Sequence, residues 1–195
     1  VLMILPPPGL HPSQEEIYHF YRLISEKVTL PVAVYNNPGS SGVDISPETM
    51  ERIATLPHME YLKESTGDIK RLTRMVDALE KKLVILCGCE NLAYESFVMG
   101  AKGWICVCAN VAPTMAVKLF NLITVEKKYD EARVLYRQLL PLVSILEDTG
   151  ELWQVAKYIL HKQGIGTGAL RPPRGLISAQ TKAAVDALLA QTDFS

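Results

Sequence analysis

Apolar residues gather in short runs that alternate with longer stretches of helical period over the first two-thirds of the chain. The runs at 2–5, 32–35, 61–63, 84–87 and 104–108 are almost continuously apolar, the pattern of parallel strands covered on both faces. Helix start signals fill the gaps. Ser13-Gln14-Glu15-Glu16 has the form of a capping box, and Ile17, Phe20 and Ile24 behind it share one face. Ser46-Pro47 is a cap with proline at the first helical position, ahead of Met50, Ile53 and Ala54. Asp68 predicts a cap for the helix carrying Leu72, Met75, Val76 and Leu79. Asn91 predicts one for the next helix, through Met99, with Gly100 ending it. Five strand-then-helix units in succession predict an α/β fold, a barrel or a doubly wound sheet.

After about Glu126 the strand pattern stops. Residues 130–146, 151–163 and 178–191 predict three helices, the first kinked by Pro141. The stretch 164–175 holds four glycines and two prolines and predicts a loop. With 195 residues, 48% of them hydrophobic, the chain is long enough to bury a sizeable core. A net charge of −1 with both signs mixed along the chain argues against nucleic acid and anionic membrane as partners. No apolar run reaches the ~18 residues needed to span a bilayer, and a cytoplasmic location is expected. The chain opens on Val1 already inside a strand-like run, so its start reads as a truncation.

Four cysteines fall in two pairs, Cys87/Cys89 and Cys106/Cys108. In an extended strand a Cys-x-Cys pair sets its side chains ~6.6 Å apart on one face. Two thiolates on one zinc, each at ~2.3 Å, need a closer approach. Reduced, buried thiols are therefore expected, and no metal. His11, His19, His58 and His161 are scattered without metal-ligand spacing. Arg171 and Arg174 flank prolines in the loop, where a structural contact is the expectation.

The candidate chemistry lies at two strand ends. Lys63 closes one strand, ahead of a Gly67-Asp68 turn and a helix, and alternation puts it on the face of Tyr61. Burial disfavours an ammonium ion, and a free amine is a nucleophile for carbonyl carbon. One strand earlier, Tyr35 ends its run and offers a phenol to pass protons. Glu64, next to Lys63, points to the opposite face and is a poor partner for it. Tyr61 lies one residue pair deeper, where packing is expected.

These residues resemble the dihydrodipicolinate synthase / N-acetylneuraminate lyase family of Schiff-base (β/α)8 barrels. Tyr35-Asn36-Asn37-Pro38, followed by Gly42, is similar to the family's Tyr-Asn-x-Pro strand end. Leu62-Lys63-Glu64-Ser65-Thr66-Gly67-Asp68 is similar to the block holding its Schiff-base lysine. Gly88 and Glu90 fall at its small acidic turn; Gly103, Ile105, Ala109 and Asn110 match its last barrel strand; Leu170-Arg171-Pro172-Pro173 matches the loop before its final helix. The resemblance implies the later part of a TIM barrel: strands four to eight over residues 1–126, with a three-helix C-terminal extension of the same domain over 127–195. Strands one to three and the carboxylate-binding Gly-Thr-Thr-Gly-Glu-like loop would lie outside it.

The resemblance further implies a lyase or aldolase of class I type acting on pyruvate or another 2-oxo acid, and in one direction on an aldehyde. Lys63 would be the nucleophile and Tyr35 the proton relay. Gly88 and Ile105 would shape the substrate pocket or offer it backbone carbonyls. No metal, nucleotide or flavin is implied, and the assembly would be a homotetramer or homodimer. Two departures bear on substrate. Where the synthases proper carry an arginine that binds the second substrate's carboxylate, this chain has Gly39-Ser40-Ser41; where they have paired tyrosines, it has Pro6-Pro7-Pro8-Gly9-Leu10. Dihydrodipicolinate synthase proper, and an inactive paralogue or fragment serving as a scaffold subunit, are the alternatives.

Overall fold

The computed structural model describes residues 1–166, 168–192 and 194. Four of the apolar runs are strands: β1 (Leu2–Ile4), β2 (Val32–Asn36), β3 (Met59–Glu64) and β4 (Val84–Cys87). They form one parallel sheet in sequence order. The chain divides into two compact units, Val1–Ile105 and Cys106–Ser195.

The first unit holds the sheet and the helices α1 (Gln14–Ser25), α2 (Pro38–Ser41), α3 (Pro47–Ile53), α4 (Ile69–Leu79) and α5 (Ala93–Val98). Three predicted caps form. Ser13 and Glu16 make the reciprocal capping box on α1, Ser46 Oγ accepts the Thr49 N–H at 3.2 Å, and an Asp68 oxygen accepts the Lys70 N–H at 2.8 Å. Asn91 does not cap α5. A single 3-10 turn over Glu90–Leu92 intervenes, so Leu92 takes the cap position with no side-chain cap bond.

One face of the sheet is closed. Val32, Val34, Asn36, Leu62, Glu64, Ile85 and Cys87 are all buried there, and α1 is tied to the sheet by Tyr21, whose hydroxyl donates to the Ile4 carbonyl at 2.7 Å. The other face is only partly covered: Tyr35, Tyr61 and Leu86 are half-buried and Val84 is exposed. The ladder between β2 and β3 carries an irregularity at its start. Val32 pairs with Met59 but Ala33 pairs with Tyr61, which leaves Glu60 as an extra residue. From there the register is regular, and Tyr35 faces Lys63 while Asn36 faces Glu64.

The fifth predicted strand is corrected. Only Trp104 bridges β4, at Cys87, with the Ile105 N–H donating to the Cys87 carbonyl at 3.0 Å. Val107 already has helical dihedrals, and Cys108–Val111 forms α6. Ala109 and Asn110 therefore lie on a helix, not on a strand, and the extended geometry assumed for Cys106-x-Cys108 is absent.

The second unit is helical: α6, α7 (Pro113–Thr124), α8 (Tyr129–Asp148), α9 (Leu152–Lys162) and α10 (Ala179–Leu189). α8 runs unbroken through Pro141, burying Leu139, Leu142, Val143 and Leu146 on one side. Glu151 stands at the cap of α9 and its carbonyl accepts the Val155 N–H at 2.9 Å, but its side chain makes no cap bond there. Its carboxylate instead receives the Ser178 N–H and hydroxyl, each at 2.9 Å, at the start of α10. Among the described residues no helix is long and apolar enough to cross a membrane.

Candidate active site

Tyr35 and Lys63 are register partners on the partly open face of the sheet, one residue short of the ends of β2 and β3. Lys63 is only 8% exposed, yet its Nζ lies 4.1 Å from the centroid of the Tyr35 ring. That is the geometry of an ammonium held over an aromatic face, worth ~0.5–2 kcal/mol. Lys63 forms no ion pair with any described residue. With no carboxylate partner to give up, its nitrogen can attack an electrophile once the proton has left. The Tyr35 hydroxyl accepts the Asn37 Nδ2–H at 2.8 Å. An oxygen that accepts one bond keeps its own proton to donate elsewhere.

Gly88, just beyond β4, completes the group by having no side chain. Its N–H donates to the Glu64 carbonyl at 2.8 Å, so its backbone lies against the end of β3. A Cβ there would sit 2.9 Å from Lys63 Cε, 2.9 Å from the Glu64 carbonyl oxygen and 1.8 Å from Ser65 Oγ. The structure thus brings Lys63, Tyr35 and Gly88 together. Ile105 stands one step further along, joined through its N–H to Cys87, with its side chain 37% exposed.

Opposite this face lies a polar cluster that the sequence reading missed. Glu64 is buried, and both its carboxylate oxygens are engaged. Oε1 accepts the Thr66 N–H at 2.9 Å, Oε2 accepts Arg71 Nε–H at 3.0 Å, and Asn36 Nδ2 reaches both at 3.3 and 3.2 Å. Arg71, from α4, also donates Nη1–H to Asp44 at 3.1 Å and Nη2–H to the Ile45 carbonyl. Asn36 donates to Asp44 at 2.9 Å and accepts the Ile45 N–H at 3.1 Å. The available signal was alternation. Asn36 and Glu64 are polar residues at positions of parallel strands that helices cover, and such groups require partners.

A family model now decides where the chain belongs: the dihydrodipicolinate synthetase family matches over residues 1–192. The chain belongs to the dihydrodipicolinate synthetase family. Among curated relatives, the 4-hydroxy-tetrahydrodipicolinate synthase of Psychrobacter arcticus is 31% identical over 98% of this chain, and that of Pseudomonas aeruginosa 32% identical over 88%. The chain spans 63% and 58% of those two proteins. Among solved structures, the chloride-inhibited dihydrodipicolinate synthase of Acinetobacter baumannii, complexed with pyruvate, superposes with a TM-score of 0.88 at 32% identity, over 96% of this chain and 64% of that one. The 4-hydroxy-tetrahydrodipicolinate synthase of Methylacidiphilum fumariolicum gives 0.89 at 29% identity, over 96% and 62%. An α/β fold with a parallel sheet is the architecture of this family of barrels.

The other residues noted in the sequence have local partners of their own. The Pro38–Ser41 stretch, where the family's synthases proper would have arginine, is the short helix α2. Asn37 Oδ1 accepts the Ser40 N–H at 3.1 Å, and Gly42 closes the helix at φ 80°, a left-handed conformation that suits glycine. Arg174 lies 5.8 Å from the Trp153 ring within the second unit, where Arg171 also lines a cavity of about 810 Å³. His11 bonds the Gly42 carbonyl at 3.3 Å and His161 that of Gly166 at 3.2 Å. Cys87, Cys89 and Cys108 are buried and Cys106 is half-buried. Among the described residues no three His, Cys, Asp or Glu side chains gather as a metal site would require.

Proposed function

We propose that this chain carries the Schiff-base half-site of a lyase or aldolase of class I type, acting on pyruvate or another 2-oxo acid. The observation that carries the proposal is the Lys63 amine poised 4.1 Å over the ring of its register partner Tyr35. Nζ attacks the ketone carbon, a proton reaches the former carbonyl oxygen, and the carbinolamine loses water to leave an iminium. The cationic nitrogen draws electrons from the neighbouring carbon. That permits either carbon–carbon cleavage or proton loss to an enamine, which then adds to an aldehyde. The Tyr35 hydroxyl supplies and recovers the protons at oxygen. Gly88 gives the adduct room beside Lys63, and Ile105 contributes to the pocket wall. The pyruvate complex of the A. baumannii relative supports pyruvate as the substrate class.

On this proposal residues 1–126 supply the later part of a (β/α)8 barrel, its last strand reduced to the bridge at Trp104, residues 127–195 form a helical extension of the same domain, and the enzyme is a cytoplasmic homotetramer or homodimer that needs no metal or organic cofactor. Strict 4-hydroxy-tetrahydrodipicolinate synthesis is the second reading, favoured by the names of the relatives and opposed by serine where an arginine would bind the second carboxylate. The decisive experiment treats the complete protein with pyruvate and borohydride. Water leaves on condensation, hydride is delivered to the iminium carbon, and the reduced adduct is expected on Lys63 by peptide mass spectrometry. Lys63→Ala should remain folded and take up no label. Label on another lysine, or an active Lys63→Ala protein, would refute the mechanism.

A further inference from the structure

We propose that Asn36, Asp44, Glu64 and Arg71 act as positioning residues for the amine and phenol carried on the opposite face of the same two strands. The inference rests on the assignment of Lys63 as the nucleophile.

The β2–β3 ladder ends at the pair Asn36 and Glu64. The residues immediately before them are Tyr35 and Lys63. Strand ends fray unless something holds them, and Lys63 has four rotatable bonds beyond its Cα. The backbone beneath fixes where that side chain starts and which way its Cα–Cβ bond points. Beyond the last rung, backbone bonds alone continue the pairing, from Ser65 N–H to the Asn36 carbonyl at 2.9 Å and from Gly88 N–H to the Glu64 carbonyl at 2.8 Å. The network sits behind that rung. It joins the end of β2, the end of β3, the turn at Thr66, the first turns of α4 and the Asp44–Ile45 segment that follows Tyr35-Asn36-Asn37-Pro38.

Stability alone does not call for such a device. A buried ion pair recovers little beyond its desolvation cost, and apolar side chains of similar volume often stabilise as well or better. What apolar packing does not reproduce is direction. The Arg71 fork meets two carboxylates and a carbonyl at once, and Glu64 is held by three separate donors. Each strand end is fixed in angle as well as in depth, and the amine and the phenol inherit that angle.

The test uses Arg71→Lys, which keeps the charge but loses the fork, and the double variant Glu64→Leu/Arg71→Met, which replaces the pair by apolar groups. Leu79→Val, a buried change on the same helix, serves as a control for stability loss. The complete protein is trapped with pyruvate and borohydride over a time course, and in parallel methylated at Lys63 with formaldehyde and borohydride, with Lys118 as internal reference. Positioning predicts that both network variants stay folded, that Lys63 is trapped ~10-fold or more slowly at saturating pyruvate, and that half-saturation shifts little. Leu79→Val should trap at the wild-type rate. Wild-type trapping in a folded Arg71→Lys protein, or an equal loss in Leu79→Val, would overturn the inference. If the wild-type protein takes no pyruvate at Lys63, the nucleophile assignment itself fails. The positioning role is then decided by formaldehyde: an altered ratio of Lys63 to Lys118 methylation in Arg71→Lys upholds it, and an unchanged ratio overturns it.

Discussion

Replacing Gly88 by alanine adds one methyl group at the point where β4 meets the end of β3, and the structure says what that methyl would strike. Ser65 Oγ, 1.8 Å away, has no hydrogen-bond partner among the described residues and can rotate aside. The Glu64 carbonyl oxygen at 2.9 Å cannot, because it receives the Gly88 N–H itself. Lys63 Cε, also at 2.9 Å, must therefore yield. Carbon–carbon contacts settle near 3.5–4.0 Å, so the lysine tip has to retreat by ~0.6–1.1 Å. Overpacking of this size costs ~1–3 kcal/mol of stability. A misplacement near 1 Å at a reacting group slows reaction by up to ~100-fold. The assay is borohydride trapping of the pyruvate adduct alongside thermal melting. Gly88→Ala should melt lower and trap ~10–100-fold more slowly. Adding Ser65→Ala removes the shortest clash but leaves the one with Lys63. The double variant should regain part of the stability without regaining rate. If Gly88→Ala traps at the wild-type rate, or if the double variant recovers rate and stability together, the glycine is not there to make room for the lysine.

Three further outcomes are expected. Tyr35→Phe keeps the ring under the amine but removes the hydroxyl that Asn37 holds; turnover should fall by ~100-fold with a stability change of ~1–2 kcal/mol, measured by steady-state assay and melting. In a panel of aldehydes offered with pyruvate, aspartate semialdehyde is proposed to be a poor acceptor, because Ser40 stands near the position at which the resemblance puts an arginine in the synthases proper, and efficient formation of the cyclic product would count against that view. In the second unit, the Tyr158 hydroxyl and the Lys162 ammonium hold the Asp186 carboxyl below its ordinary value, while the Thr181 and Ser178 hydroxyls do the same for Glu151. A carboxyl lowered in the folded state stabilises above its unfolded value and loses that contribution as pH falls through its folded one. Melting temperature should therefore decline below about pH 4, and Asp186→Asn should make the decline shallower.

The parts of the site legible in the sequence were those governed by local rules. Lysine and tyrosine at the ends of neighbouring apolar runs are unusual residues at readable positions, and Ser13, Ser46 and Asp68 announce helices through contacts within three residues. What stayed hidden depends on distance along the chain. Along the sequence Glu64 has only Lys63 beside it, whereas its partner Arg71 comes back from the next helix, and Asp44 from a loop 27 residues before that arginine. The strand predicted over 104–108 failed for another reason. Apolar character alone cannot separate a strand from a buried turn entering a helix, and at Val107 the backbone has already turned helical.

The extra residue in the first part of β3 has a consequence for changes in chain length. Were the ladder to continue evenly from Val32 and Met59, Tyr35 would stand beside Leu62, and Lys63 would share a rung with Asn36 on the closed side of the sheet. The single irregularity at Glu60 is what delivers the amine to the phenol. Loss of Glu60, which is exposed, would merely straighten the ladder and leave every later pairing intact. Loss or gain of one residue between Tyr61 and Lys63 would exchange the faces, sending the lysine among the helices and the glutamate toward the pocket. Loss of a residue is thus absorbed at Glu60 but exchanges the faces beyond Tyr61, a boundary that any loop graft or natural length variant of this protein has to respect.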